Sequence, residues 1–76
     1  MDSEQLVTKK VKGKMYHGLF NRLLGENEGE ASIIEFEVPW DGDYRKHPNG
    51  KVVKTFPKVT KDEGRREIEK WLKQIE

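Results

Sequence analysis

The sequence predicts an α+β fold in which a small antiparallel sheet of about three strands packs against a C-terminal amphipathic helix. Three observations support this prediction. Polar and apolar residues alternate along residues 31–40, a turn sequence precedes a β-rich segment at residues 51–56, and apolar residues recur at helical spacing near the C-terminus. The chain has 76 residues, the size of one domain, so residues 1–76 are assigned to a single domain with residues 1–5 as candidates for disorder.

The first predicted element is a short edge strand at residues 6–12. The segment LVTKKVK contains β-branched residues, which favour strands. Its lysines are typical of edge strands, where charge discourages pairing with another chain. We therefore expect this strand at the border of the sheet.

Residues 14–24 are predicted to form an additional N-terminal helix, in preference to a strand over residues 14–20. Gly25 follows where a glycine commonly ends a helix. Gly18 favours the strand, because glycine inside a helix costs about 1 kcal/mol relative to alanine. The apolar residues recur at positions i, i+1, i+4, i+5, i+8 and i+9, which draws one stripe on a helix: Met15, Tyr16, Leu19, Phe20, Leu23 and Leu24.

Residues 26–30 are predicted to be an exposed acidic loop, and residues 31–40 form the clearest strand. The alternation places Ile34 and Phe36 on the core face and Glu35 on the opposite face.

The stretch His47-Pro48-Asn49-Gly50 is a turn sequence, because proline presets the backbone for a turn and glycine accepts a positive φ. A return strand is expected over residues 51–56, with Val52 and Phe56 directed inward and Pro57 ending the regular pairing.

A C-terminal helix is predicted to begin after Thr60. Thr60 and Glu63 have the spacing of a capping box, in which the two side chains satisfy free backbone N–H groups. Four apolar residues then fall on one helical stripe that would face the sheet: Ile68, Trp71, Leu72 and Ile75.

Cysteine is absent, which excludes disulfides and cysteine metal sites and fits a reducing compartment. No apolar run has the length of a membrane span or the character of a signal peptide. We therefore expect a cytoplasmic, intracellular protein with no membrane partner.

The charges are segregated along the chain although the net charge is only +1. Residues 25–43 contain seven acids and no base, whereas residues 44–61 contain six bases and no acid. Such blocks either bind charged partners or neutralise each other in the folded protein.

The basic block predicts a surface that binds the phosphates of double-stranded DNA, with Tyr44 as a candidate base or sugar contact. If the first strand lies beside the hairpin, its lysines would widen this surface. The alternative is a salt-bridged ladder between these lysines and Glu35 and Glu37. The candidate DNA-binding residues are Tyr44, Arg45, Lys46, Lys51, Lys54 and Lys58.

The acidic block supports a different hypothesis, in which the protein is an interaction or inhibitory module, such as a phage or host regulator. Segment 25–43 would dock on a basic protein partner, with Trp40 as an anchor and Asp41 and Asp43 beside it. A third alternative is an RNA-binding domain of similar α+β architecture.

No residue pattern indicates catalysis, a metal site or a cofactor. Asp41-Gly42-Asp43 resembles the start of a calcium loop, but Arg45 and Lys46 follow where oxygen ligands are needed. His17 and His47 lack the spacing of metal ligands, and no nucleophile stands with a base. We expect a protein that is not an enzyme.

Residues 34–76 resemble the AP2-like N-terminal DNA-binding domain of phage-type tyrosine recombinases. The resemblance implies a three-stranded antiparallel sheet that enters the DNA major groove and is backed by one C-terminal helix. The recombinase catalytic domain has no counterpart in these residues, so the resemblance implies DNA binding without recombination. The segments that carry it are Gly50-Lys51, Lys54-Thr55-Phe56, Thr60-Lys61 and Glu69-Lys70-Trp71-Leu72.

Overall fold

The fold is a four-stranded antiparallel sheet covered on one face by a C-terminal helix. The computed structural model describes residues 2–22, 25–37 and 50–76. The strands lie side by side in chain order, so β1 and β4 form the two edges. The α+β class is confirmed, but the sheet has four strands where about three were predicted. The elements are β1 (Asp2–Val11), β2 (Lys14–Arg22), β3 (Glu28–Glu37), β4 (Lys51–Thr60) and α1 (Lys61–Ile75).

Strand β2 occupies the segment for which an N-terminal helix was predicted, so that prediction was wrong and the strand alternative holds. The reason is the position of β2 between β1 and β3, with both of its faces buried. A strand that is buried on both faces loses the alternation of polar and apolar residues, and its apolar residues then imitate a helical stripe. The consecutive residues Tyr16, His17, Gly18, Leu19 and Phe20 are all buried.

A two-residue turn joins β1 to β2. Lys12 and Gly13 both have positive φ, at 49° and 81°, as a type I′ turn requires. Val11 and Lys14 are the register partners on either side. This turn matches the right-handed twist of the strands, so the two strands form a tight hairpin.

Strand β1 is an edge strand, as predicted. It begins at Asp2, so residues 2–5, named above as candidates for disorder, pair with β2. The acidic loop also proved shorter than expected, because β3 begins at Glu28.

The two faces of β3 differ from the prediction. Ile33 pairs with Gly18, and Glu35 pairs with Tyr16, so both lie on the face that α1 covers. Phe36 lies on the opposite face, where its ring packs edge-on against His17 at a centroid distance of 5.7 Å. Since Ile33 and Phe36 are both buried, β3 is apolar on two faces, and alternation could not identify the helix side.

An irregularity in the pairing of β3 with β4 changes which face of the sheet each β4 side chain occupies. Ile33 pairs with Lys54 and Ile34 with Val52, so Val53 is an extra residue in the ladder. Val53 packs against the core, whereas Val52 is 59% exposed, contrary to the inward position predicted for it. The strand also continues through Pro57, which an edge strand tolerates.

Helix α1 forms as the sequence predicts. The Thr60 hydroxyl accepts from the Glu63 backbone N–H at 3.2 Å, and the Glu63 carboxylate accepts from the Thr60 backbone N–H at 2.9 Å. Ile68 and Leu72 are buried against the sheet, and Trp71 and Ile75 are half-buried at its margin. Within the described ranges, no helix combines the length and apolar character needed to cross a lipid bilayer.

The helix approaches the sheet closely because small residues lie beneath it. A β-carbon added at Gly18 would lie 2.7 Å from Cγ2 and 2.9 Å from Cδ1 of Ile68. One added at Gly64 would lie 3.1 Å from the side chain of Ala31. Ile68 therefore occupies the volume that a side chain at Gly18 would need.

We expect Gly18→Ala to destabilise the fold by about 1–3 kcal/mol, because the added methyl group overlaps Ile68. Ile68→Ala alone should cost about 2–5 kcal/mol. In the double variant the overlap disappears, so its cost should be clearly smaller than the sum of the two single costs. Urea unfolding measures all three free energies.

Gly64→Ala is the matched control, since its added methyl group has more room and should cost much less. Equal losses for the two glycine variants, or additive losses in the Gly18/Ile68 pair, would contradict this account of helix docking.

Thr60→Ala should lower the free energy of unfolding by about 0.5–2 kcal/mol, because it leaves the Glu63 backbone N–H without its acceptor. Thr60→Ser keeps the hydroxyl and should stay within about 0.5 kcal/mol of the parent protein. The same urea experiment compares them, and an equally stable Thr60→Ala protein would argue against the capping box as a contributor.

Candidate nucleic-acid interface

A carboxylate surrounded by cationic and hydroxyl donors connects three strands at one end of the sheet. The Tyr16 hydroxyl donates to Glu35 Oε2 at 2.9 Å, and Lys14 Nζ donates to Glu35 Oε1 at 3.2 Å. Lys51 Nζ lies 3.7 Å from the same Oε1. The Glu35 side chain is only 15% exposed, so its carboxylate is largely shielded from water while the cluster links β2, β3 and β4.

The surroundings of Glu35 change its acidity in opposing directions. Burial raises the pKa of the Glu35 carboxyl, but hydrogen bonds from Tyr16 and Lys14 and the charges of Lys14 and Lys51 outweigh this effect. The net pKa lies below the ordinary value for glutamate, so Glu35 is ionised at neutral pH. Burial, and secondly the contact with Glu35, raises the pKa of Tyr16, which therefore keeps its proton.

Four lysines lie at this same end of the sheet, Lys14 and Lys51 on the helix side and Lys10 on the opposite face. We call it the basic end: Lys10, Lys12, Lys14 and Lys51. The type I′ turn presents Lys12 at its tip, and antiparallel pairing brings the start of β4 to the side of the sheet where β1 ends. Lys51 remains 69% exposed and Lys14 44% exposed despite their contacts with Glu35. In the part of the chain that the structure describes, Lys10 and Lys12 contact no carboxylate.

The structure does not bring the three β4 lysines of the predicted site together. Lys58 lies seven positions after Lys51, or roughly 23 Å along a strand. Lys54 lies on the helix side, with Nζ 5.5 Å from the centre of the Phe56 ring, in a groove that Lys70 also lines. Lys58 lies near the far end of β4. The contact between Lys51 and Glu35 is part of the ladder that the sequence offered as an alternative.

The remaining predicted site residues lie outside the described residues, in the connection between β3 and β4: Trp40, Asp41, Asp43, Tyr44, Arg45 and Lys46.

The opposite end of the sheet is acidic. Glu26, Glu28 and Glu30 are exposed there, around a cleft of about 470 Å³ that Arg22 and Lys58 also line. The two ends of the sheet therefore differ in charge, with the basic end at the β1–β2 turn and the acidic end at the start of β3. The charge blocks of the sequence do not map directly onto them, because Glu35 lies at the basic end and Lys58 lines the acidic cleft.

From the sequence, the β1 lysines were expected to widen the basic surface only if β1 lay beside the hairpin that contains β4. β1 instead lies at the far edge from β4. The lysines of β1 and β4 lie near one another because β1 ends and β4 begins at the same end of the sheet. The signal was the Lys12-Gly13 pair between two β-prone segments, which marks a hairpin turn.

The described side chains form no group of three or more potential metal ligands. Comparison with protein-family models, curated proteins and solved structures finds no match for this chain.

We expect the stability that ionised Glu35 contributes to be present above about pH 4.5 and to disappear as the pH falls, because its pKa is lower in the folded state. Glu35→Gln should therefore be less stable than the parent protein near pH 7, and the difference should shrink below about pH 4. Urea unfolding at a series of pH values measures it.

Glu30→Gln serves as the control, because Glu30 is exposed on the same strand and the charge change is identical. A stability difference for Glu35→Gln that does not change with pH would show that the ionised carboxylate is not what binds the three strands.

Proposed function

We propose that this domain binds double-stranded DNA without catalysing a reaction, and that it does so in the cytoplasm. The basic end is the contact surface, and Lys10, Lys12, Lys14 and Lys51 meet the backbone phosphates. One observation carries the proposal: the β1–β2 turn and the start of β4 lie at the same end of the sheet. Lysines that are distant in the sequence are therefore near one another in the fold.

The contacts with Glu35 reduce the positive charge of this surface but do not cancel it. One carboxylate lies between two ammonium groups, so Lys14 and Lys51 together keep an excess of one positive charge. Ion pairs near the surface contribute little, about 0–1 kcal/mol each, and a phosphate can therefore compete for the exposed lysine ends. Glu35 also holds Lys14 and Lys51 side by side, which lowers the entropy that a phosphate contact would cost.

We propose two residues outside the described ranges, Arg45 and Lys46, as further phosphate contacts, with Tyr44 as a base or sugar contact. The motivation is their place in the sequence, between the end of β3 and the start of β4, both of which lie at the basic end. Lys54 and Lys58 are assigned a secondary role, because they lie along β4 away from the turn.

The resemblance to the AP2-like domain of phage-type tyrosine recombinases supports the same ligand. Both would present an antiparallel sheet backed by a C-terminal helix. Here Lys14 and Lys51 lie with Glu35 on the helix side, so the ligand would meet the end of the sheet and not its other face. The fourth strand β1 is an addition to that plan, and it supplies Lys10 at the basic end.

Lys12→Asn should weaken duplex binding without harming the fold. Asparagine tolerates the positive φ of this position and suits a type I′ turn before glycine, so only the charge is lost. We expect binding to fall several-fold near about 0.1 M salt, and the slope of log affinity against log salt to decrease by about one. Fluorescence anisotropy with a random-sequence duplex measures both quantities.

Lys51→Gln should act in the same direction. Lys70→Gln is the control, because it removes the same charge from an exposed site on α1 that lies beside the middle of β4. Equal losses for Lys12→Asn and Lys70→Gln would move the contact away from the basic end, and parent protein that fails to bind at low salt would exclude DNA as the ligand.

A second candidate function rests on the acidic end, where Glu26, Glu28 and Glu30 are exposed around one cleft. In this alternative the domain is a regulator that docks on a basic protein partner, with Trp40, Asp41 and Asp43 as further contacts. Retention on heparin favours the DNA proposal. Retention on a cationic resin, lost in a triple Glu→Gln variant of the acidic end, favours the protein partner, and a preference for RNA over DNA duplexes would favour the third alternative.

A further inference from the structure

The outer edge of β1 is regular enough to pair with another strand, whereas the outer edge of β4 is not. Both are ten-residue edge strands. β4 is interrupted by two register shifts, by Pro57 and by a positive φ at Lys58. β1 contains no proline and one irregularity. Among the strands that the structure describes, only β2 pairs with β1, so half of the β1 peptide groups point outward.

The charges of β1 are arranged so that the strand complements itself when it is reversed. Glu4 lies in its first half and Lys9 and Lys10 lie in its second half, with Leu6 and Val7 between them. An antiparallel copy therefore places acid opposite base. The charged residues of β4 are all lysines, so pairing with a second β4 would place like charges together.

The irregularity in β1 selects the register of such a pair. Gln5 pairs with Leu19 and Val7 with Gly18, so Leu6 is an extra residue and the alternation of faces shifts by one at this point. Glu4 and Lys9 consequently lie on the same face, the helix side, which in a regular strand they would not. Gln5 and Thr8 both lie on the opposite face, where Thr8 contacts His17 at 3.0 Å.

We propose that β1 pairs antiparallel with β1 of a second copy of this chain, about a two-fold axis between Leu6 and Val7. The dimer contains one continuous eight-stranded sheet with both helices on the same face. In this register every pair joins side chains of one face, and the opposed pairs are Glu4 with Lys9, Ser3 with Lys10, Gln5 with Thr8, and Leu6 with Val7.

The proposed contact extends ion pairs that each copy already contains. Lys61 Nζ lies 2.7 Å from Glu4 Oε1, and Lys9 contacts the carboxylate of Glu76. Joining Glu4 of one copy to Lys9 of the other links the two pairs into a chain of four alternating charges. Because the axis is two-fold, this chain forms twice, which makes the interface sensitive to charge and to salt.

Sedimentation equilibrium over about 10 μM to 1 mM protein tests the proposal, and the apparent mass should rise from that of the monomer toward twice that value. Lys9→Glu should raise the dimer dissociation constant about tenfold or more, since it opposes like charges at two symmetric places. Glu4→Lys should do the same. The double variant should restore dimerisation.

The double variant separates the proposed contact from the ion pairs within each copy. In that variant each exchanged side chain meets a like charge on α1, so the internal pairs stay broken while the contact between copies is re-formed. A double variant that stays monomeric although its circular dichroism matches that of the parent protein would overturn the register.

Disulfide trapping gives a second readout, because the chain contains no cysteine of its own. Mixed Ser3→Cys and Lys10→Cys proteins should cross-link under mild oxidation, whereas neither variant alone should do so, since like positions lie roughly 23 Å apart in this register. Equal cross-linking of the single variants, or a parent protein that is monomeric at all concentrations, would overturn the proposal. The lysines and the bulge of β1 would then serve to prevent pairing at this edge.

The dimer and the DNA proposal fail independently. Lys12→Asn changes the basic end and should leave the dimer dissociation constant unchanged. Lys70→Glu is the charge-matched control for Lys9→Glu, because Lys70 is exposed on the β4 side of α1. A parent protein that dimerises but does not bind DNA, or Lys12→Asn protein that binds DNA as tightly as the parent, would count against the basic end alone.

Discussion

The packing of Ile68 on the bare backbone of Gly18 is the contact on which the rest of this structure depends. A domain of this size buries few side chains, and each fully buried Ile, Leu or Phe contributes about 1.5–3 kcal/mol. Ile68, Leu72 and Phe20 reach nearly complete burial only because α1 lies close to β2 and β3. The glycine that counted against a helix in residues 14–24 is therefore what allows the actual helix to dock on them.

The direction of α1 follows from the same contact. The helix begins where β4 ends, and its capping box starts it at Thr60 with no intervening loop. It then runs back across the sheet toward the end where β1 and β2 meet, so that Lys61 reaches Glu4 and Glu76 reaches Lys9. These two ion pairs anchor the helix ends to the edge strand, and they leave β1 with its charges already aligned on the helix side.

Glu35 organises the basic end of the sheet in a comparable way. A half-buried carboxylate needs compensating donors, and Tyr16, Lys14 and Lys51 provide them from two neighbouring strands. The lysines that this arrangement collects have their outer ends in solvent. A contact that stabilises the sheet thus also prepares a cationic surface, which links the fold to the function proposed for it.

The amino-acid sequence by itself determined the local features of this protein. The Thr60–Glu63 cap, the apolar stripe of α1 and the edge position of β1 were all predictable, because each depends on residues that are neighbours in the chain. Tertiary structure decided that β2 is a strand, that Glu35 lies on the helix side of the sheet, and which β4 side chains point inward. A central strand buried on both sides has no alternation to read, and an extra residue in a ladder reverses every later side chain. The candidate site followed the same division: Lys51 was identified from local charge, but its grouping with Lys12 and Lys14 arises only when the sheet brings distant turns to one end.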